Sequence, residues 1–162
     1  MSKKTLLVAL FLALALNACG QPEGASFGFD QDEITSKAGE TFTVQMLLSS
    51  PKAIDAVDAL VSFDPAMLSV EKASKGELFE IYPLKSTDNK KGLVKISAAS
   101  REQFFQGEDG VYATLTFKSL KAGETELAYQ YESKQASHSD TDVMSEGTDL
   151  MSAAETLEVT IQ

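Results

Sequence analysis

Apolar residues recur at every second position along most of this chain, and that period decides what it can fold into. Phe42, Val44, Met46 and Leu48 alternate with polar neighbours, and Val57, Ala59, Val61 and Phe63 do the same ahead of Asp64-Pro65. Val94, Ile96 and Ala98 form a third set, and Val111, Ala113, Leu115 and Phe117 a fourth. Shorter sets are Phe27 and Phe29, Leu68 and Val70, Leu127, Tyr129 and Tyr131, and Leu157, Val159 and Ile161. Successive side chains of a strand point to opposite faces, so this period buries one face and wets the other. A helix needs a period near 3.6, and only residues 66–72 leave room for about one helical turn. Many short strands with turn residues between them predict one all-β domain, a sandwich or barrel.

The punctuation agrees with the period. The string Lys-Ala-Gly-Glu-Thr occurs at 37–41 and again at 121–125, each time ahead of a strand. The copies lie too far apart for a solenoid repeat, so they share turn chemistry. Gly39 and Gly123 suit turns that need positive φ, and Pro65 fixes φ at a strand end.

The first 18 residues have a different character. Lys3 and Lys4 precede TLLVALFLALAL at 5–16, an apolar run of 12 residues. That is shorter than the roughly 20 residues that span a bilayer, but it fits the apolar region of an export signal. Leu16-Asn17-Ala18-Cys19 follows and resembles the bacterial lipobox, whose cysteine is lipidated and becomes the first residue of the mature protein. The expectation is a lipoprotein signal peptide at 1–18, a tether at 19–26 that starts from lipidated Cys19, and a folded domain at 27–162. Residues 20–26 (GQPEGAS) carry Gly, Pro and Ser without apolar period, so the tether is expected to be disordered and to reach about 25 Å. Gly20 lacks the aspartate associated with inner-membrane retention. The expected location is therefore the cell envelope, at the outer membrane where a cell has two.

Composition then excludes several function classes. The chain has 162 residues, 14 basic and 24 acidic side chains, and a net charge of −10. Cleavage before Cys19 removes 18 residues and two lysines, which leaves 144 residues with 12 basic against 24 acidic groups, a charge of −12. Nucleic acid needs clustered Lys and Arg, so it is excluded as a partner. With one cysteine and one histidine there is no intrachain disulfide and no cysteine- or histidine-based metal cluster. No Gly-x-Ser-x-Gly, His-Glu-x-x-His or phosphate-cradling loop occurs. The chain does not read as an enzyme and calls for no cofactor.

Four motifs now fall in order: Ala38-Gly39-Glu40-Thr41-Phe42-Thr43-Val44, Val61-Ser62-Phe63-Asp64-Pro65-Ala66-Met67-Leu68, Lys75-Gly76-Glu77-Leu78-Phe79, and the run of residues 109–118, DGVYATLTFK. In this order they resemble the cohesin domain, over nearly the whole chain after the leader. The resemblance implies a nine-stranded jelly-roll β-sandwich, related to carbohydrate-binding modules. It also implies non-catalytic binding of dockerin modules, by which polysaccharide-degrading enzymes are assembled. In such domains the third strand presents an Asn and, two residues on, an Asp. Aligned on Phe-Asp-Pro, Asp58 stands at the Asp position and Ala56 at the Asn position. A glutamate from a later strand falls on Ser100. The candidate partner-binding residues are Ala56, Asp58, Leu60 and Ser100, of which Asp58 alone keeps the family's residue type.

Other constellations have bland readings. Phe104 and Phe105 in Gln103-Phe104-Phe105-Gln106-Gly107 are expected to plug one end of the sandwich. Tyr82, Tyr112, Tyr129 and Tyr131 could offer faces to sugar rings. His138, Asp140, Asp142, Glu146 and Asp149 offer oxygens at short spacing, but they do not match a calcium loop and read as a solvated acidic loop. The resulting expectation is an exported, lipid-anchored cohesin-like module that attaches to another protein, or to polysaccharide, at the cell envelope. A carbohydrate-binding module of the same fold and a structural envelope lipoprotein stand beside it.

Overall fold

A computed structural model describes residues 24–132 and 141–162. The leader, Cys19, residues 19–23 of the expected tether, His138 and Asp140 lie outside the described residues. The described chain forms strands β1 (Ala25–Phe29), β2 (Glu33–Ser36), β3 (Thr41–Ile54), β4 (Ala56–Phe63), β5 (Leu68–Lys75), β6 (Ile81–Asp88) and β7 (Leu93–Ala99). It continues with β8 (Phe105–Ser119), β9 (Gly123–Tyr129), β10 (Asp142–Ser145), β11 (Thr148–Asp149), β12 (Met151–Ala154) and β13 (Thr156–Ile161).

Two sheets pack face to face. One runs β12-β1-β3-β8-β5, and the other β11-β10-β4-β9-β13-β2, with β7 on the second edge of β4 and β6 outside β7. This is the all-β sandwich that the alternation predicts, although thirteen strands replace the expected nine. Part of the excess comes from the crossings between sheets. At Asp55 the chain passes from β3 to β4, and at Glu155 from β12 to β13, so one continuous run counts twice at each place. β6 and the β10–β11 hairpin account for more, and neither shows the alternation that marks a half-buried strand.

Local chemistry sets the turns. Residues 65–67, where a helical turn had room, form a tight turn in which Asp64 Oδ1 accepts the Ala66 N–H at 2.8 Å. Gly39 and Gly123 have φ of 90° and 144°, as their turns require. The first strand starts at Ala25, two residues before the expected start of the folded domain at 27. Ala25 is fully buried, its N–H donates to Leu150 O at 2.7 Å, and Ser152 Oγ donates to Ala25 O at 2.9 Å. Residues this small carry no visible period; β12 recruits them by parallel pairing.

The core lies between the sheets. Val57, Ala59, Val61 and Phe63 of β4 and Val94, Ile96 and Ala98 of β7 are buried, facing Leu115 and Phe117 of β8. Phe27 and Phe29 both stack on Tyr129, with ring centroids 4.9 and 4.8 Å apart. Phe117 takes Phe42 in a stacked pair and Phe63 edge-on, at 5.6 and 5.4 Å.

All four tyrosines point inward, and each hydroxyl donates to a main-chain carbonyl across the sandwich. Tyr112 on β8 reaches Ile96 O of β7 at 2.8 Å, and Tyr82 on β6 reaches Tyr112 O at 3.1 Å. Tyr129 on β9 reaches Gly28 O of β1 at 2.9 Å, and Tyr131, just beyond β9, reaches Met151 O of β12 at 3.0 Å. Burial raises all four phenols: Tyr82 is pushed up to about 12, and Tyr112, Tyr129 and Tyr131 are raised too. The tyrosines therefore offer no row of faces to sugar rings. A Tyr112→Phe change leaves the Ile96 carbonyl without its hydroxyl donor and is expected to cost about 1–2 kcal/mol in chemical denaturation. Phe117→Ala removes a fully buried ring and is expected to cost about 3–5 kcal/mol by the same measurement. An unfolding midpoint unchanged by both would contradict this account of the core.

Candidate functional site

The same alternation that buries half of β4 turns the other half outward. Ala56, Asp58 and Leu60 are each half-exposed and share the outer face of the larger sheet. Across β7 they oppose Ala99, Ser97 and Lys95 in register. Beyond β7, Ile81, Leu84 and Ser86 of β6 oppose Ala99, Ser97 and Lys95 in turn. On the other edge of β4, Met144 and Asp142 of β10 stand opposite Ala56 and Asp58. Paired residues project to one side of a sheet, so these side chains form one surface across β10, β4, β7 and β6.

That surface is flat and mostly uncharged. Ala56, Ala99, Ser97 and Ser86 keep it low, while Leu60, Met144, Ile81 and Leu84 give it apolar area; Ile81 and Leu84 are 49% and 41% exposed. An ion pair on it joins Lys95 Nζ to Asp58 Oδ2 at 3.6 Å, with both side chains open to water. An exposed pair of this kind adds about 0–1 kcal/mol to stability. Its more useful consequence is that the Asp58 carboxylate has a defined position near the middle of the face.

Ser100 does not join the other three candidates. Val94, Ile96 and Ala98 point inward, and the period of two carries Ser100 inward with them, to 8% exposure. Its N–H donates to Asp55 O at 2.9 Å, and its Oγ accepts the Glu80 N–H at 2.9 Å. The residue supports the end of the sheet and presents nothing to a partner.

The contact at Ser100 leads to a group that the sequence did not suggest. Glu80, just before β6, accepts the N–H groups of Gln103 and Glu102 on Oε1 at 2.9 and 3.0 Å, and that of Arg101 on Oε2 at 3.3 Å. These backbone bonds, that of Gln103 foremost, hold its carboxyl below the usual carboxylate range. Of the two phenylalanines that follow, Phe105 packs on the core opposite Ile54, as expected of a plug. Phe104 is 50% exposed, which a plug does not explain.

The described part of the acidic stretch, from residue 142 to 149, forms a strand hairpin where a loop was expected. Asp142 lies in β10 and Asp149 in β11, where Asp149 Oδ1 accepts the N–H groups of Val143 and Met151 at 3.2 and 2.9 Å. Glu146 takes the turn between them at φ 49°, and its N–H donates to Asp55 Oδ2 at 2.9 Å. Among the described residues no group of three His, Cys, Asp or Glu side chains is placed to hold a metal ion. On the smaller sheet, a cleft of about 460 Å³ is lined by serines, glycines, Pro51 and acidic groups, with no aromatic ring.

Comparison with known proteins follows from this geometry. Forty-two chains of known structure match the fold. The third ScaC cohesin of Acetivibrio cellulolyticus, solved with the ScaB dockerin, is 17% identical, with 85% of this chain and 98% of that chain covered and a TM-score of 0.68. The cohesin CaCohA2 of Clostridium acetobutylicum is 16% identical, with 86% and 92% covered and a TM-score of 0.67. A non-cellulosomal cohesin from the archaeon Archaeoglobus fulgidus is 12% identical, with 86% and 91% covered and a TM-score of 0.65. No curated protein matches by sequence. At these identities the structural likeness concerns the fold. Residues 29–159, however, match the family model described as Cohesin domain, from the end of β1 to the last strand. The chain belongs to the cohesin domain family.

Proposed function

We propose that this cohesin domain binds a dockerin-like module of another protein through the outer face of β10, β4, β7 and β6, and performs no chemistry. The observation that carries the reading is the composition of that face: Ala56, Leu60, Ala99, Ile81, Leu84 and Met144 around the Asp58–Lys95 pair and Asp142. Apolar side chains on a rigid sheet lose little freedom when covered, and covering them is the main driving force for association. Asp58 supplies a fixed negative charge that orients a donor or cation of the partner. Among the similar structures, the ScaC cohesin was solved bound to a dockerin. Ala56 and Ser100 depart from the family's polar contacts, so recognition relies on the apolar surface more than on a hydrogen-bond network. The inward tyrosines and the absence of aromatic rings in the cleft make polysaccharide the weaker candidate.

We further propose, on the lipobox-like Leu16-Asn17-Ala18-Cys19, that Cys19 is lipidated. Acyl chains on Cys19 hold the domain at the cell envelope, at the outer membrane where there are two. Each buried CH₂ contributes about 0.8 kcal/mol, so two or three chains suffice for a stable anchor. The negative charge of the domain opposes adsorption to anionic lipid, which leaves the acyl chains to do the holding.

Two experiments test these claims. Dockerin modules encoded in the same genome are titrated calorimetrically against the full chain. Leu60→Arg is expected to weaken binding at least about 30-fold and Asp58→Ala about 3- to 10-fold, with the fold kept by circular dichroism. Binding unaffected by both substitutions would place the contact elsewhere. Cys19→Ser is expected to move the protein from the membrane to the soluble fraction and to abolish acylation by mass spectrometry. A Cys19→Ser protein still membrane-bound and normally processed would refute the anchor.

A further inference from the structure

This inference rests on the proposed binding face. Three of the four exposed large hydrophobic residues among those described, Ile81, Leu84 and Phe104, lie around one end of β6 and the bend that follows β7. Phe104 directly follows residues 101–103, whose three N–H groups bond Glu80, and Ile81 directly follows Glu80. The carboxylate is gripped by three successive N–H groups at 2.9, 3.0 and 3.3 Å, while Glu80's own N–H bonds Ser100 Oγ at 2.9 Å. Four hydrogen bonds thus clamp the bend to the start of β6, three of them to a charged acceptor and correspondingly strong. Without the clamp, the exposed ring on the bend would sample many positions and lose that freedom on contact. With it, the backbone that leads into the ring is ordered before any partner arrives, which is the general source of affinity from preorganisation.

We propose that Glu80 is a positioning residue, which holds the 101–103 bend so that Phe104 and Ile81 form the apolar anchor at the β6 end of the partner-binding face. The occupant is the folded protein module of the proposed function, which covers the ring with an apolar side chain of its own. The face alone is low and flat. Phe104 supplies the one large ring, and a ring in a contact that excludes water carries a disproportionate share of binding energy.

A double-mutant cycle on the full chain tests this, with the dockerin module that binds wild type as probe. Phe104→Ala is expected to weaken binding about 30-fold and Glu80→Ala about 5- to 10-fold. The double variant is expected to be no weaker than Phe104→Ala alone, because Glu80 acts through the ring. Glu80→Gln, which keeps one acceptor oxygen, is expected to fall between wild type and Glu80→Ala. Hydrogen exchange without partner is expected to accelerate at the amides of 101–103 in Glu80→Ala while β4 and β7 keep their protection, which separates a released bend from a misfolded domain. If Leu60→Arg abolishes binding and Phe104→Ala leaves it intact, the anchor is wrong and the face stands. If no dockerin module binds wild type, the reading of the face fails and the anchor falls with it. Additive losses from Glu80→Ala and Phe104→Ala would also overturn the positioning role.

Discussion

Four phenol groups that cross from one sheet to the other determine much of what this sandwich can present to its surroundings. Each tyrosine hydroxyl meets a main-chain carbonyl of the facing sheet between 2.8 and 3.1 Å, in both directions across the core. Sheet packing by apolar contact alone is weakly directional, and sheets can slide by a residue at small cost. A buried hydroxyl aimed at one carbonyl penalises such a slip, because a misplaced sheet leaves the donor unsatisfied at about 1–3 kcal/mol. Stacked rings reinforce the same registration, Phe27 and Phe29 on Tyr129 and Phe42 on Phe117.

This arrangement has a cost and a consequence on the outside. The outer face of β4 and β7 carries Ala, Ser, Leu and an Asp–Lys pair and is smooth, and the tyrosines of the neighbouring strands, turned inward, add no ring to it. A smooth face held rigidly by a registered core suits the surface of another folded protein better than a sugar ring, which needs an aromatic platform. Phe104, a half-exposed ring, follows the bend at 101–103 whose three N–H groups bond Glu80. The proposed binding surface thus draws on two kinds of rigidity: the core fixes the sheet, and a carboxylate fixes the bend at 101–103.

Much of this was legible in the sequence, and the remainder was not, for physical reasons. The residues that alternate on β3, β4, β7, β8, β9 and β13 are half-buried strands with water on one side, so period two betrays them. β6 is an edge strand whose exposure is high at nearly every position, and with little to bury it shows no period. β10 and β11 are too short and too acidic to be told from a loop, and their pairing depends on Asp149 accepting two backbone bonds. Ala56 and Asp58 were suggested by family alignment on Phe-Asp-Pro, and strand parity puts both, with Leu60, on one outer face. Ser100 was placed by family alignment, and the parity of Val94, Ile96 and Ala98 turns it inward. The tyrosines were visible as residues, but nothing local says which way a phenol points. Glu80 was hidden because its role is a contact across 21 to 23 positions in the chain.

The central claim is that a partner protein settles on the outer face of the larger sheet. The most direct measurement is a residue-by-residue hydrogen-exchange or amide chemical-shift footprint of the full chain, with and without a bound dockerin module. The account predicts that changes concentrate on β4, β7, β6 and the bend at 101–104, with the strands of the smaller sheet unaffected. A footprint centred on β1, β3 and β8, or on the cleft lined by Ser26, Ser49 and Glu155, would contradict it.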